Sequence, residues 1–173
     1  MSGGGSQDWY RLRPDWADRV VEAADIRRGE LVVELGAGDG ALTVPLARTG
    51  ARVIAVELHP GRVERLRDRV RDLDVRVAEM DATDFRYPRR RVRVVANPPF
   101  GIASGLIRAA IGQPGVIALD LVLPRSIAVR WADGRLRAAR RFEGRLGPLV
   151  PRRAFSPAPG VDCAILHLRR RRG

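Results

Sequence analysis

The sequence predicts an α/β fold, a mostly parallel sheet covered by helices on both faces. Three observations point there. Short apolar runs rich in Val, Ile and Leu alternate with amphipathic stretches of about ten residues. The strand candidates are joined by segments long enough for the crossover helices that parallel pairing requires. Successive strands finish on a glycine loop, an acid or an amide, which gathers polar groups along one edge of the sheet. With 173 residues, 45% of them hydrophobic, the chain suffices for one domain with a sizeable core.

Taken in order, DWADRVVEAADI (15–26) reads as a helix capped by Asp15, with Trp16, Val20, Ala23 and Ala24 on one face. LVVEL (31–35) is a buried strand, and ALTVPLART (41–49) a helix that tolerates Pro45 only near its first turn. RVIAVE (52–57) is the second strand. GRVERLRDRV (61–70) follows as a solvent-facing helix with Val63, Leu66 and Val70 turned inward. DVRVAEM (74–80), RVRVVA (91–96) and GVIALDLVL (115–123) are further strands, with a helix near 103–111. WADGRLRAARR (131–141) is polar and weakly patterned, and reads as a mobile connection. The closing VDCAILHLRRRRG reads as a last strand with a basic tail, and Cys163 alternates with Ile165 as a core residue. His59 and His167 read as structural or surface groups.

Composition narrows the partners. No run of about 18 apolar residues predicts a membrane span. The opening MSGGGS has the composition of a flexible segment rather than of a secretory signal. One cysteine and two distant histidines make neither a disulfide nor a metal site, and they fit a cytoplasmic protein. The net charge is +12, and all 32 basic residues are arginine. The missing lysine is a matter of composition bias, but the surplus charge predicts a polyanionic partner, most simply nucleic acid.

In VVELGAGDGALT (32–43) a strand runs through a loop with glycines at 36, 38 and 40 into a helix. The spacing is Gly-x-Gly-x-Gly, unlike the dinucleotide fingerprint. Glu34 and Asp39 beside it would repel a pyrophosphate and suit a ligand with an amino group and a positive charge, which points to S-adenosylmethionine. Glu57 ends the next strand, placed to take both hydroxyls of a ribose, and Asp81 ends the third, placed to accept from an adenine amine. The fourth strand delivers NPPF (97–100) to the same edge. An exocyclic adenine amine is a poor nucleophile because its lone pair is delocalised into the ring. The Asn97 side-chain oxygen and the Pro98 carbonyl, stiffened by Pro98 and Pro99, can accept its two hydrogens and favour a tetrahedral nitrogen. Phe100 offers a face on which an extruded base can stack. Trp9 and Tyr10 read as a stacking pair or as a lid on the cofactor.

ELGAGDG, AVEL, MDATDF and NPPF, in this order and spacing, resemble the ribosomal-RNA adenine-N6 methyltransferases, most closely the erythromycin-resistance (Erm) group. SQDWYRL (6–12) is similar to that family's N-terminal motif, and RRAFSPAPGVDCAILHLRRR to its closing segment. The resemblance implies a Rossmann-like S-adenosylmethionine-dependent methyltransferase fold with a seven-stranded sheet. It implies a catalytic domain over 7–168, with a flexible segment at 1–6 and a basic tail at 169–173. Carried over by position, it implies cofactor contacts at Asp8, Tyr10, Gly36, Gly38, Glu57, Asp81 and Asn97, and base handling at Asn97, Pro98 and Phe100. RNA contacts are expected from Arg90, Arg137, Arg140, Arg141, Arg152 and Arg153. Asp8 stands where many members have asparagine, and Pro124 where glutamine is commoner. Members usually continue into a small helical C-terminal domain, so either a natural short form or a truncated chain is expected. The expected activity is N6 methylation of an adenine in 23S ribosomal RNA by a monomer, conferring macrolide-lincosamide-streptogramin resistance. The rival readings are methylation of 16S ribosomal RNA or DNA, a glutamine-N5 protein methylase, or an inactive arginine-rich RNA-binding module.

Overall fold

A computed structural model describes residues 9–134 and 140–171. β2 (Leu31–Leu35), β3 (Arg52–Glu57), β4 (Val75–Glu79), β5 (Val92–Ala96) and β6 (Val116–Pro124) run parallel, in the spatial order β4-β3-β2-β5-β6. β9 (Cys163–Arg170) pairs antiparallel with β6, and β7 (Phe142–Val150) antiparallel with β9 at the sheet edge. The chain thus forms the expected mostly parallel sheet of seven strands. β1 (Arg11–Leu12) and β8 (Phe155–Ser156) make a separate two-stranded ladder.

Strand residues alternate between two cores, as strands buried on both faces must. Val32 and Val95 point to one face, where α1 (Pro14–Ala24), α2 (Thr43–Arg48) and α3 (Pro60–Arg69) contribute Val20, Leu46 and Leu66. Val33 and Val94 point to the other, where α4 (Ala103–Ile111) and α5 (Arg125–Ala132) contribute Ile107 and Trp131. The winding reverses between β2 and β5, so a crevice opens beyond their carboxyl ends. The glycine loop leaves β2 there, and Asn97 leaves β5 beside it, since Glu34 pairs in register with Val95.

Four local expectations are corrected. Helix α1 starts at Pro14, whose fixed φ suits the first helical position, with Arg13 at the N-cap. Asp15 is therefore not a cap; it lies in the first turn, where its charge meets the positive end of the helix dipole. Helix α5, unforeseen, takes in the start of the segment read as a mobile connection and makes Trp131 one of the largest fully buried side chains. Strand β7 was equally hidden, because Gly144, Gly147 and Pro148 interrupt FEGRLGPLV. Proline is tolerated at a sheet edge, and Gly147 leaves room for His167, whose ring a Cβ there would strike. Finally, β9 runs on to Arg170, so Arg169 and Arg170 belong to the sheet and not to a tail.

His167 and Arg169 belong to a buried charge cluster around Asp120, which is 0% exposed. Its carboxylate takes Arg93 Nη2 at 2.9 Å, His167 Nδ1 at 2.6 Å and Arg169 Nη2 at 2.6 Å. Arg93 Nη1 also reaches Glu30 at 3.1 Å and the Asp25 carbonyl at 2.9 Å, tying the end of α1 to β5. Cys163 is buried in the first core, as expected, and burial pushes its thiol up to about 12.

Candidate active site

The glycine loop is held from below by β3. The Gly36 and Ala37 amides both donate to the Val56 carbonyl at 2.9 Å. Gly36 and Gly38 hold φ of 72° and 61°, a region L side chains rarely adopt. Their loop meets NPPF closely: Pro99 Cδ lies 3.5 Å from where a Cβ on Gly36 would sit.

Glu57, 5% exposed, closes this corner. Its Oε2 accepts the Gly38 amide at 2.8 Å and its Oε1 the His59 amide at 2.8 Å, with Arg62 Nη1 at 3.8 Å. Arg62 also lies 4.2 Å over the Trp9 ring, and Trp9 packs on Gly38. Asp81 caps a short 3-10 helix (Ala82–Asp84), accepting from the Thr83 amide at 2.8 Å and hydroxyl at 2.7 Å. Those two bonds hold its carboxyl below the usual range.

Asn97 carries the most telling geometry. Its Nδ2 donates to the Tyr10 carbonyl at 2.6 Å, which fixes the orientation of the amide. The other end, Oδ1, is buried and has no hydrogen-bond partner among the described residues. Asn97 lines a small cleft with Trp9, Arg11, Glu34, Gly36 and Asp39. An orphaned buried acceptor costs about 1–3 kcal/mol, so such an atom calls for a donor that the described residues do not supply. Phe100 follows in a 3-10 helix (Phe100–Ile102), its ring centroid 5.1 Å from that of Tyr10. The buried Pro98 borders an apolar pocket between β5 and α4.

The two acids beside the loop do not act as their positions suggested. Glu34 is buried and accepts the Thr43 hydroxyl at 2.5 Å, and burial pushes its carboxyl up to about 8, outweighing that bond. Burial thus favours its protonated, uncharged form. Asp39 is spent on Arg11 Nε at 2.8 Å and Arg69 Nη2 at 3.9 Å. Neither is an uncompensated negative charge for a cationic ligand. Nothing in the sequence marked Thr43 or Arg11 for these roles.

Glu34→Gln tests this protonation. A folded-state pKa of about 8 against an ordinary 4.5 means the unfolded chain gives up the proton first. The stability this neutral carboxyl contributes is whole below about pH 4.5 and declines as the pH rises toward 8. The variant should match wild type near pH 4.5 and exceed it by a widening margin up to pH 8. Thermal melts over that window check it; a constant offset would place Glu34 in contact with water.

The predicted residues are not all gathered at one place. Tyr10, Gly36, Gly38, Glu57, Asp81, Asn97, Pro98 and Phe100 lie along the carboxyl edge of the sheet. Arg152 and Arg153 lie there too, in a 3-10 helix just beyond β7 and next to β8, which pairs with β1. Arg90, Arg140 and Arg141 sit before β5 and β7, at the opposite edge. Asp8 and Arg137 lie outside the described residues. Among those described, no three His, Cys, Asp or Glu side chains gather as metal ligands, and no helix is long and apolar enough to cross a membrane.

A Rossmann-like fold with a glycine loop, an acid closing the second parallel strand and Asn-Pro-Pro-Phe after the fourth is the architecture of S-adenosylmethionine-dependent methyltransferases. Residues 10–173 match the ribosomal RNA adenine dimethylase family, and the chain belongs to it. An rRNA methyltransferase of Streptomyces thermotolerans is 36% identical over 163 residues, 88% of this chain and 54% of the relative. The ribosomal RNA small subunit methyltransferase A of Streptococcus sanguinis is 33% identical over 174 residues, 88% of this chain and 60% of the relative. Among solved structures, the 23S rRNA methyltransferase ErmE superposes with a TM-score of 0.84 at 30% identity, covering 93% of this chain and 70% of that one. The chain thus spans little more than half the length of these two curated relatives.

Proposed function

We propose that this protein methylates the N6 amino group of an adenine in ribosomal RNA, most simply 23S, with resistance to macrolides, lincosamides and streptogramins as the consequence. The observation that carries the reading is the buried Asn97 Oδ1, without a partner among the described residues, beside a cleft next to the glycine loop. An exocyclic amine is the donor that such an acceptor lacks.

S-adenosylmethionine supplies, when bound, a methyl group already activated on a sulfonium. The residues along this sheet edge would hold such a ligand, its nucleoside end at Glu57 and Asp81 and its amino-acid end near Tyr10, Gly36 and Gly38. Glu57 has a second task, because its carboxylate also holds the Gly38 amide and so the shape of the loop. Asn97 Oδ1 and the Pro98 carbonyl accept the two amine hydrogens, which draws the nitrogen toward a tetrahedral shape with its lone pair free. The Tyr10 carbonyl keeps Oδ1 turned toward the base by engaging the other end of the amide. The Phe100 ring, backed by Tyr10, provides the stacking face. Once methylated, the nitrogen is cationic and acidic enough to release its extra proton to water, so none of this needs a side-chain base.

Glu57→Ala should weaken S-adenosylmethionine binding by about 1.5–3 kcal/mol, the scale of a hydrogen-bonded charged group. Calorimetry on the folded variant reads this directly, and unchanged affinity would remove Glu57 from the site. To test the substrate, tritiated S-adenosylmethionine is offered with 23S RNA, 16S RNA, DNA and protein in separate reactions. Label in 23S RNA is expected. Label in 16S RNA would move the target to the small subunit, which the likeness to the Streptococcus sanguinis protein makes the second reading.

A further inference from the structure

The arginine surplus is divided between two opposite edges of the sheet, and the division has a functional reading. Arg91 stands one residue before β5 and Asn97 one residue after it, about 20 Å apart at roughly 3.3 Å per residue. Arg141 and Arg152 lie beyond opposite ends of the nine-residue β7, whose length alone is about 26 Å on the same count.

The far-edge arginines form one surface rather than scattered charges. A Cβ on Gly115 would collide with the backbone of residues 88–90, so the two turns before β5 and β6 are packed together. Arg170 ties that corner to the end of β9, donating to the Gln113 carbonyl at 2.6 Å and the Val116 carbonyl at 2.8 Å. The Arg171 amide donates to the Arg141 carbonyl at 2.8 Å, which brings β7 and its leading arginines alongside. Arg89, Arg90, Arg91, Arg140, Arg141 and Arg171 are all exposed, and none makes an ion pair among the described residues. Crowding is visible at Arg170, whose pKa is lowered first by burial and then by the charge of Arg141. Glu143 is the acid closest in sequence, on β7 itself. Unpaired, mutually repelling guanidinium groups destabilise a fold slightly and gain when an extended anion arrives.

We propose that this amino-edge surface is a second RNA-docking face, which holds a segment of the substrate RNA distinct from the one that presents the target adenine. The carboxyl-edge arginines, Arg152 and Arg153 among them, serve the strand entering the cleft. The far edge engages phosphates of a folded RNA large enough to reach around the molecule. The inference rests on RNA as the substrate class.

The test compares two probes across a salt series, a short single-stranded oligoadenylate and intact protein-free ribosomal RNA. The combined variant Arg89→Gln, Arg90→Gln, Arg91→Gln should bind oligoadenylate as wild type does. On intact ribosomal RNA it should lose roughly tenfold in affinity, and its log–log salt slope should flatten by about two, at −0.7 for each lost contact. Arg140→Gln with Arg141→Gln should reproduce the pattern from the other side of the surface, so a fold defect in either variant does not decide the matter. Arg152→Gln with Arg153→Gln should weaken both probes. Equal losses on both probes for the far-edge variants would overturn the division, and so would no loss on either. Poly-glutamate competing as strongly as ribosomal RNA would overturn RNA in favour of an acidic protein. A wild type that holds long RNA through this edge yet methylates none would remove the proposed reaction and leave the surface standing.

Discussion

Asn97→Ala is expected to slow methyl transfer by about a hundredfold or more, some 2.7 kcal/mol in the barrier, a loss well beyond any it causes in cofactor affinity. The separation follows from where the two ends of the amide go. Oδ1 has no partner among the described residues, so its loss is felt when the amine is there to be held. Nδ2 bonds the Tyr10 carbonyl, so the variant also frees the N-terminal segment, at a cost to stability of about 1–3 kcal/mol. Single-turnover rates beside calorimetric affinities resolve the two effects. Near-normal turnover in a folded Asn97→Ala protein would end the proposed activation of the amine.

The largest expected effect on stability belongs to Asp120→Ala, about 3–5 kcal/mol, because it strands charge in the interior. Arg169 is 40% exposed and can swing toward water, but Arg93, at 9%, cannot. Burial alone would raise the Asp120 carboxyl; the His167 hydrogen bond and the Arg169 and Arg93 charges outweigh it and hold it below the ordinary range. An acid with a depressed folded-state pKa stabilises the fold above its unfolded value, and the contribution fades as the pH falls through the depressed one. Wild type should therefore lose stability in strong acid, and the variant should have already lost it at neutral pH. Denaturant melts at several pH values check this; a loss under about 1 kcal/mol would mean the arginines find other partners.

The parallel half of the sheet was legible because its strands are unbroken apolar runs and its helices carry clean amphipathic faces. β2 and β3 match residue for residue. The C-terminal half was obscured for two physical reasons. Strand β7 lies at the edge, where Gly144, Gly147 and Pro148 are tolerated and blur any period of two. Helix α5 is short and its apolar face is diluted by Arg125 and Arg130, so Trp131 read as part of a polar connection.

At the site, the positions of Glu57, Asp81 and Asn97 followed from strand ends, but the states of Glu34 and Asp39 did not. A carboxylate five residues from another looks like a charged pair in sequence, whereas depth and the partners Thr43, Arg11 and Arg69 decide its charge in the fold. The division of the arginines is itself written in the sequence. A basic run immediately before a parallel strand must lie at the edge away from the site, and residues 89–91 precede β5.

Nucleoside analysis of the methylated RNA tests the central claim most directly. Ribosomal RNA is incubated with wild-type protein and S-adenosylmethionine, digested to nucleosides and resolved by mass spectrometry. N6-methyladenosine or N6,N6-dimethyladenosine should account for the transferred methyl, and Asn97→Ala should abolish most of it. Methyl groups on a ribose hydroxyl, on a ring carbon or on another base would contradict a site built around an amine held at Asn97 and Pro98.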